Sequence, residues 1–180
     1  MSNERVKTIK ERKVEEKITV RMTDTYLFDF TLYHTYSKLT GFLTNILGAA
    51  IAFMGIIMLV MGKIKPVQII FYLVAAVVFI AYTPLLLKYR SKKQVKGIER
   101  YHVPNEMTFN DEGIQVEFAE KKETYEWEQI QKVVTTPKTI GFYYETEKAL
   151  IVPKPDFGDK FVPILTLATK KLGPARVHLR

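Results

Sequence analysis

The side chains that most often carry out chemistry are few and scattered in this sequence. The histidines are His34, His102 and His178, and their separations match no metal-ligand spacing. The chain contains no cysteine, which excludes disulfides, thiolate nucleophiles and cysteine metal ligands. We therefore expect neither a metal nor a cofactor.

Nucleophile and acid candidates are equally sparse. Ser37 follows His34 at the spacing of one helical turn, but a single such pair in a helix usually faces solvent. The sequence contains no glycine-rich phosphate loop. Asp111 and Glu112 are turn formers. The other acids considered occupy positions expected to face solvent on strands: Glu117, Glu123, Glu126 and Glu128. An acid pair for hydrolysis is the enzymatic alternative. It lacks a supporting polar cluster, so we predict that the protein is not an enzyme.

Two long apolar runs dominate the chain, although its mean hydropathy of −0.03 is ordinary. Residues 39–61 and 66–87 contain no charged side chain. As helices they would span about 35 and 33 Å, slightly more than a hydrocarbon core of roughly 30 Å. The alternative, a helical hairpin buried in a soluble protein, would need wrapping on all sides by a small chain. We predict two transmembrane helices joined by residues 62–65, with Gly62 ending the first and Pro66 starting the second.

The distribution of basic residues predicts the orientation of this hairpin. Arg21 and Lys38 precede the first run and five basic residues follow the second, against Lys63 and Lys65 in the turn. The first residues are too charged for a signal-peptide core. We expect a multi-pass protein of the bacterial cytoplasmic membrane with both termini in the cytoplasm.

The net charge of +8 is concentrated just after the second run, where residues 88–100 hold six basic residues and one acid. We call its first five basic residues the basic collar: Lys88, Arg90, Lys92, Lys93 and Lys96. Basic residues in this position indicate a lipid surface with anionic headgroups as partner, rather than a nucleic acid. The alternative is that the collar only fixes the topology.

Small residues recur at seven-residue spacing along the first apolar helix. We call them, with two neighbours, the glycine face: Gly41, Asn45, Gly48, Ala52, Gly55 and Gly62. Small residues let helices approach closely in lipid. This face packs either within the hairpin or against another membrane protein or a second copy in a homodimer. Neither helix holds an acid or a base, so we expect no ion or proton relay.

The flanking segments predict the remaining architecture. Residues 1–38 form a cytoplasmic segment with a charged extension, a short strand at Ile18–Met22 and an amphipathic helix from about Thr23. One side of that helix carries Tyr26, Leu27, Phe30, Tyr33, His34 and Ser37. Residues 101–180 show period-two patterns typical of about five strands, with Trp127 in the core. They end in a helix from about Val162 to Gly173, whose inward-facing residues are predicted to be Ile164, Leu165, Ala168 and Leu172. Whether Ile18–Met22 joins the sheet is left open.

Several stretches resemble the YcxB-like family of small bacterial membrane proteins. They are FNDEGIQVEF (109–118), YEWEQIQKVVTT (125–136) and YYETEKALIVPKPDF (143–157). The resemblance covers about Ile18 to Phe157 and implies a pleckstrin-homology-like half-barrel beneath a two-helix anchor. The expected fold class is an α+β membrane protein: a transmembrane hairpin, then a small antiparallel half-barrel closed by a C-terminal helix. The family implies no catalytic residue.

Two functions are compatible with this organisation. The first is a membrane-anchored, adaptor-like module that binds protein or lipid at the inner leaflet. The alternative is a structural or regulatory subunit of a cell-envelope complex assembled through the glycine face, with a role in resistance to membrane-active peptides by analogy with other bacterial membrane proteins.

Overall fold

The computed structural model describes residues 15–98, 101, 103–119 and 121–178. These residues form two compact units. We call residues 15–22 together with the described residues from 101 onward the head. We call Thr23–Ile98 the hairpin unit.

The hairpin unit contains three helices: α1 (Asp24–Tyr36), α2 (Leu39–Val60) and α3 (Ile69–Gly97), the last preceded by a 3-10 turn at Pro66–Gln68. Helices α2 and α3 pack against each other, and α1 packs against both. The first predicted span, residues 39–61, agrees with α2 to within one residue. The second agrees at its start, but α3 continues beyond Leu87 through the collar to Gly97.

The turn between α2 and α3 lies where the sequence predicted it. Gly62 has a φ of +68°, which a β-carbon would disfavour. Its N–H donates to the Leu59 carbonyl (3.0 Å), and the Lys63 N–H donates to the Met58 carbonyl (2.9 Å). These two bonds form a Schellman cap that satisfies the last carbonyls of α2. The Lys65 N–H then donates to Gln68 Oε1 (2.7 Å), which caps the following turn.

Helix α1 confirms the predicted helix but not its predicted amphipathic character. Thr23 caps it through a hydrogen bond from the Tyr26 N–H to Thr23 Oγ1 (3.4 Å). Leu27 and Phe30 are buried, and all the remaining residues from Phe28 to Tyr36 are half-buried. Threonine, tyrosine and histidine combine an apolar body with a polar tip, so this segment lacks the separate polar face that an amphipathic helix requires.

In its described residues the head contains eight strands in two sheets. One lies before the hairpin, where a short strand was predicted, and seven lie after it, where about five were predicted. The strands are β1 (Glu16–Val20), β2 (Asn105–Phe109), β3 (Gly113–Phe118), β4 (Lys121–Glu126), β5 (Lys132–Thr135), β6 (Thr139–Tyr143), β7 (Ala149–Pro153) and β8 (Val177–His178). One sheet has the order β1-β2-β3-β4 and the other β7-β6-β5-β8. All pairs are antiparallel except β5 with β8, which is parallel.

Strand β1 answers the question left open by the sequence, because it joins the sheet. It pairs antiparallel with β2, from Glu16 opposite Phe109 to Val20 opposite Asn105. Ile18 and Val20 are buried, as the period of two requires for one face against a core. The head is therefore not formed by residues 101–180 alone, since its edge strand comes from before the hairpin.

The core of the head lies between the sheets and helix α4 (Phe161–Leu172). Phe109, Phe142 and Phe157 form an aromatic cluster, with ring centroids 5.4 Å apart for the first two. The residues predicted to face inward from the helix are all buried: Ile164, Leu165, Ala168 and Leu172. The helix ends at Gly173, as predicted, where φ is +79°.

Trp127 belongs to this core, as predicted, and is only 3% exposed. Its Nε1–H donates to the Asn110 carbonyl (2.8 Å), which satisfies the polar edge of the buried indole. The Asn110 side chain in turn accepts bonds from the Glu112 and Gly113 N–H groups, so it shapes the turn between β2 and β3.

Candidate membrane anchor and basic collar

The outer surfaces of α2 and α3 are formed almost entirely by exposed apolar side chains. Phe53 is 66% exposed, Phe71 is 73% and Leu85 is 65%. Both helices are long and apolar enough to cross a membrane, over Gly41–Val60 and Pro66–Gly97. A helix core in a soluble protein would cover such residues, and here they stay uncovered within the described part of the chain. A contiguous apolar surface of this size marks contact with lipid or a partner.

The glycine face points into the hairpin rather than away from it. A β-carbon at Gly48 would lie 2.7 Å from Ile80 Cγ1 and 3.1 Å from the Ala76 carbonyl oxygen. A β-carbon at Gly55 would lie 2.6 Å from Tyr72 Cβ. Ala76 of α3, whose carbonyl oxygen lies near Gly48, is buried. Of the two alternatives, packing within the chain is the one that the structure displays, and helix α3 covers the seam at these two glycines.

The other members of the glycine face have different surroundings. Gly41 lies against the Thr35 backbone, where the end of α1 crosses the start of α2. Ala52 and Asn45 are half-buried, and Asn45 Oδ1 is buried with no hydrogen-bond partner among the described residues. Gly62 is exposed in the turn, where it caps α2 and takes no part in helix packing.

The basic collar lies on the last turns of α3 and is exposed at every one of its five positions. Ser91, between them in sequence, is 2% exposed and lies 3.3 Å from Thr31 Oγ1 of α1. The Thr31 hydroxyl also donates to the Leu27 carbonyl (2.8 Å) within α1. At 3.6 residues per turn, Arg90, Lys92, Lys93 and Lys96 lie about 100° or more around α3 from Ser91, whereas Lys88 lies about 60° from it.

A single helix thus carries an apolar surface and then a basic one. Tyr89, between the first two collar residues, is 67% exposed. Tyrosine and lysine combine apolar stems with polar tips, which suits the boundary between hydrocarbon and headgroups. The collar is part of helix α3, although the sequence predicted that the second apolar helix ends at Leu87. No glycine or proline occurs between Leu87 and Gly97, and this could have indicated that the helix continues.

The described candidates for catalysis lie on different elements, Ser37 and His34 at the end of α1 and His178 in the head. Ser37 Oγ–H donates to the His34 backbone carbonyl (2.9 Å), a local bond at the end of α1 rather than a nucleophile–base contact. His178 lies on β8, and His102 lies outside the described residues. Among residues 15–98, 101, 103–119 and 121–178, no group of three histidine, aspartate or glutamate side chains could hold a metal ion.

The acids predicted to face solvent lie on or next to β3 and β4. Glu123, Glu126 and Glu128 are exposed and Glu117 is half-buried. Lys122, directly opposite Glu117 across the strands, forms an ion pair with it (2.9 Å), and this hydrogen bond and charge lower the pKa of Glu117. Asp111 forms an ion pair with Lys171 of α4 (2.9 Å). Glu117 and Asp111 thus form ion pairs at the surface of the head.

Taken together, the fold and the two surfaces define a class: a small mixed helix-and-sheet protein with two long apolar helices inserted after its first strand. A similarity to a known family lies in the head. Residues 109–162 match the family model described as YcxB-like protein, which confirms the resemblance for the three stretches quoted from the sequence. The match does not include residues 18–108 of the range over which the resemblance was expected. The match runs from the end of β2 to the start of α4. No curated protein and no solved structure matches the chain.

Proposed function

We propose that this protein is a membrane-anchored, non-enzymatic adaptor. Helices α2 and α3 cross the bacterial cytoplasmic membrane, both termini lie in the cytoplasm, and the head is a pleckstrin-homology-like module that binds a partner at the inner leaflet. The proposal rests on one observation above all. Helix α3 presents exposed apolar side chains and then, without a break, the exposed basic collar.

The length of α3 supports this assignment. Its 29 residues span about 44 Å, which exceeds a hydrocarbon core of roughly 30 Å by about three turns. If the apolar part fills the core, the collar lies at the headgroups of the inner leaflet. Each basic residue there is worth about 1 kcal/mol at most on an anionic surface.

The pairing of β1 with β2 supports a hairpin with both ends on one side. Residues 16–20 precede the helices and residues 105–109 follow them, yet the two strands are hydrogen-bonded neighbours. A chain that crossed the membrane an odd number of times would separate these strands by the bilayer. Two crossings leave them together.

The order of strands supports a pleckstrin-homology-like head. Two antiparallel meanders, β1 to β4 and β5 to β7, form separate sheets, and a C-terminal helix packs on the core that they enclose. This is the arrangement that the family resemblance implies. The glycine-face alternative lacks comparable support, because α3 covers Gly48 and Gly55.

Thiol labelling in intact cells tests the proposal, since the native chain contains no cysteine. Lys63→Cys in the turn should react with an impermeant maleimide from outside. Glu112→Cys in the head should react only after the cells are permeabilised. Labelling of Glu112→Cys in intact cells would contradict the proposal.

The collar is tested in the same assay by changing all five residues to glutamine. In the Glu112→Cys reporter, Arg21, Lys38 and Arg100 would then remain beside the ends of the hairpin, against Lys63 and Lys65 in the turn. We therefore expect a mixed orientation in which Glu112→Cys becomes partly labelled in intact cells. The matched control exchanges lysine and arginine at the same five positions and should keep the original pattern. An unchanged pattern in the glutamine variant would show that the collar does not set the orientation.

A further inference from the structure

The last strand of the head occupies a position where a separate peptide could bind. Strand β8 contains two residues and pairs in parallel with β5, Val177 beside Val133 and His178 beside Val134. It forms the end of its sheet, next to β5. It also contacts α4, so it lies beside both β5 and the helix.

The described residues of β8 make few contacts. His178 is exposed and Val177 is half-buried against the core, so Val177 supplies most of the apolar contact of this pair. Thr135 Oγ1–H donates to the His178 carbonyl at 3.5 Å, a long bond. Elements with so few buried contacts open at a small fraction of the cost of global unfolding.

The connection before β8 provides a hinge. Gly173 ends α4 with φ of +79°, and Pro174 starts a short 3-10 turn that ends at Arg176. Movement about Gly173 would release residues 174–178 and leave α4 in place. Because β5 extends over the four residues Lys132–Thr135 and the described residues of β8 pair with two of them, a longer strand could make more hydrogen bonds there.

Two other sheet edges are poor sites for an added strand. The outer edge of β1 is covered by the segment after β7: Lys160 Nζ donates to the Lys17 carbonyl (2.6 Å), and the Arg21 N–H donates to Asp156 Oδ2 (2.7 Å). Strand β4 is exposed and carries closely spaced charges, including Lys121, Lys122 and Glu123. Charged side chains on an edge oppose pairing with another chain.

We propose that the outer edge of β5 is the peptide-binding site of the head and that β8 is its intramolecular occupant. The ligand is an extended segment of a partner protein that runs parallel to β5 and places a branched aliphatic residue where Val177 lies. Backbone hydrogen bonds to β5 provide affinity, and the pocket of Val177 provides selectivity. This inference rests on the proposed function, because it names the kind of partner that the adaptor binds.

A peptide with the sequence of residues 173–178, labelled with a fluorophore, is a defined probe for this site. Val177→Asp in the full-length chain should detach β8 by placing a charge against the core. This variant should bind the peptide about tenfold more tightly than the wild type or better, because a tethered strand competes at an effective concentration of about millimolar. A peptide with aspartate at the Val177 position is the matched control and should not bind.

A disulfide that holds β8 on β5, called here the lock, should close the site. Val134 and His178 are register partners, and neighbouring strands lie about 4.8 Å apart, within the range that a disulfide can bridge. The oxidised Val134→Cys, His178→Cys double variant should bind no peptide, and reduction should restore binding to the wild-type level. Each single cysteine variant should be insensitive to oxidation.

If the Val177→Asp chain binds the peptide no better than the oxidised lock does, while its Trp127 emission remains native, β5 is not a strand-addition edge. A chain shortened after Arg176 removes β8 without a buried charge and must behave in the same way. Labelling of Lys63→Cys in these same variants reports separately on the membrane anchor, so failure of the peptide site is distinguishable from failure of the proposed function.

Discussion

The head and the hairpin unit use the same apolar residues in opposite ways. In the head, Phe109, Phe142 and Ile114 are fully buried, and the charged residues lie outside. In the hairpin unit, phenylalanines such as Phe71 point outward, and the small residues Gly48 and Gly55 lie in the contact between helices. This inversion is expected if water surrounds one unit and hydrocarbon surrounds the other. Close packing of small residues stabilises helices in lipid, whereas burial of large ones stabilises a fold in water.

The largest expected effect comes from removing one aromatic ring from each unit. Phe142→Ala should lower the free energy of unfolding of the head by about 3–5 kcal/mol, because it leaves a cavity in a fully packed core. Phe71→Ala should change the stability of either unit by less than about 0.5 kcal/mol. Denaturation followed by the fluorescence of Trp127, the only tryptophan, measures the head directly. Equal effects at the two positions would remove the contrast between the units.

A middle-sized effect is expected from adding bulk at the glycine face. Gly48→Leu should destabilise the packing of α2 on α3 by about 1–3 kcal/mol, because its side chain would overlap Ile80 and the backbone at Ala76. Helix content followed by circular dichroism during titration with a denaturing detergent measures this loss.

Ala50→Leu is the matched control for that change, since Ala50 is exposed on the same helix. It should leave helix packing unchanged. If Gly48→Leu were tolerated as well as Ala50→Leu, α3 would not pack on the face of α2 that carries Gly48.

The smallest expected effect concerns Asp156, next to the β1 edge. Burial raises the pKa of this carboxyl, and the hydrogen bond from the Arg21 N–H and the Arg21 charge oppose the increase. The folded head therefore binds this proton more tightly than the unfolded chain. The contribution of Asp156 to stability is present at low pH and is lost as the pH rises through the raised pKa, above the ordinary value of about 3.9.

Asp156→Asn keeps an oxygen that can accept the Arg21 N–H bond and removes the charge. Relative to the wild type, the variant should gain stability as the pH rises from about 3 to 6, by less than about 0.5 kcal/mol after solvent screening. Trp127 fluorescence at a series of pH values measures the difference. A variant that loses stability relative to the wild type over this range would show that the Asp156 charge stabilises the head.

The sequence alone was sufficient where a pattern is local. The uncharged runs located α2 and the start of α3, Gly62 and Gly173 marked helix ends, and Trp127 and the inward side of α4 were identified from spacing. Helix α1 was recognised, but its polar aromatic residues were mistaken for an amphipathic pattern.

What the sequence did not show depends on pairing between distant segments. The five residues of β1 alternate like any short strand, and nothing near them indicates a partner in β2, beyond the hairpin. Val177 and His178 are too few to form a recognisable strand pattern, and their parallel pairing with β5 depends on the position of α4. The hydrogen bond between Ser91 and Thr31 likewise joins two helices, and no local sequence pattern indicates it.

The account depends most on the claim that hydrocarbon surrounds the outer surfaces of α2 and α3. Nitroxide labels at Val77 on α3 and at Glu112 in the head, in protein reconstituted into lipid bilayers, test it through their exposure to two relaxation agents. At Val77 we predict ready access by oxygen, which concentrates in hydrocarbon, and poor access by a water-soluble nickel chelate, with the reverse at Glu112. Equal access of the nickel chelate to Val77 and Glu112 would contradict the account.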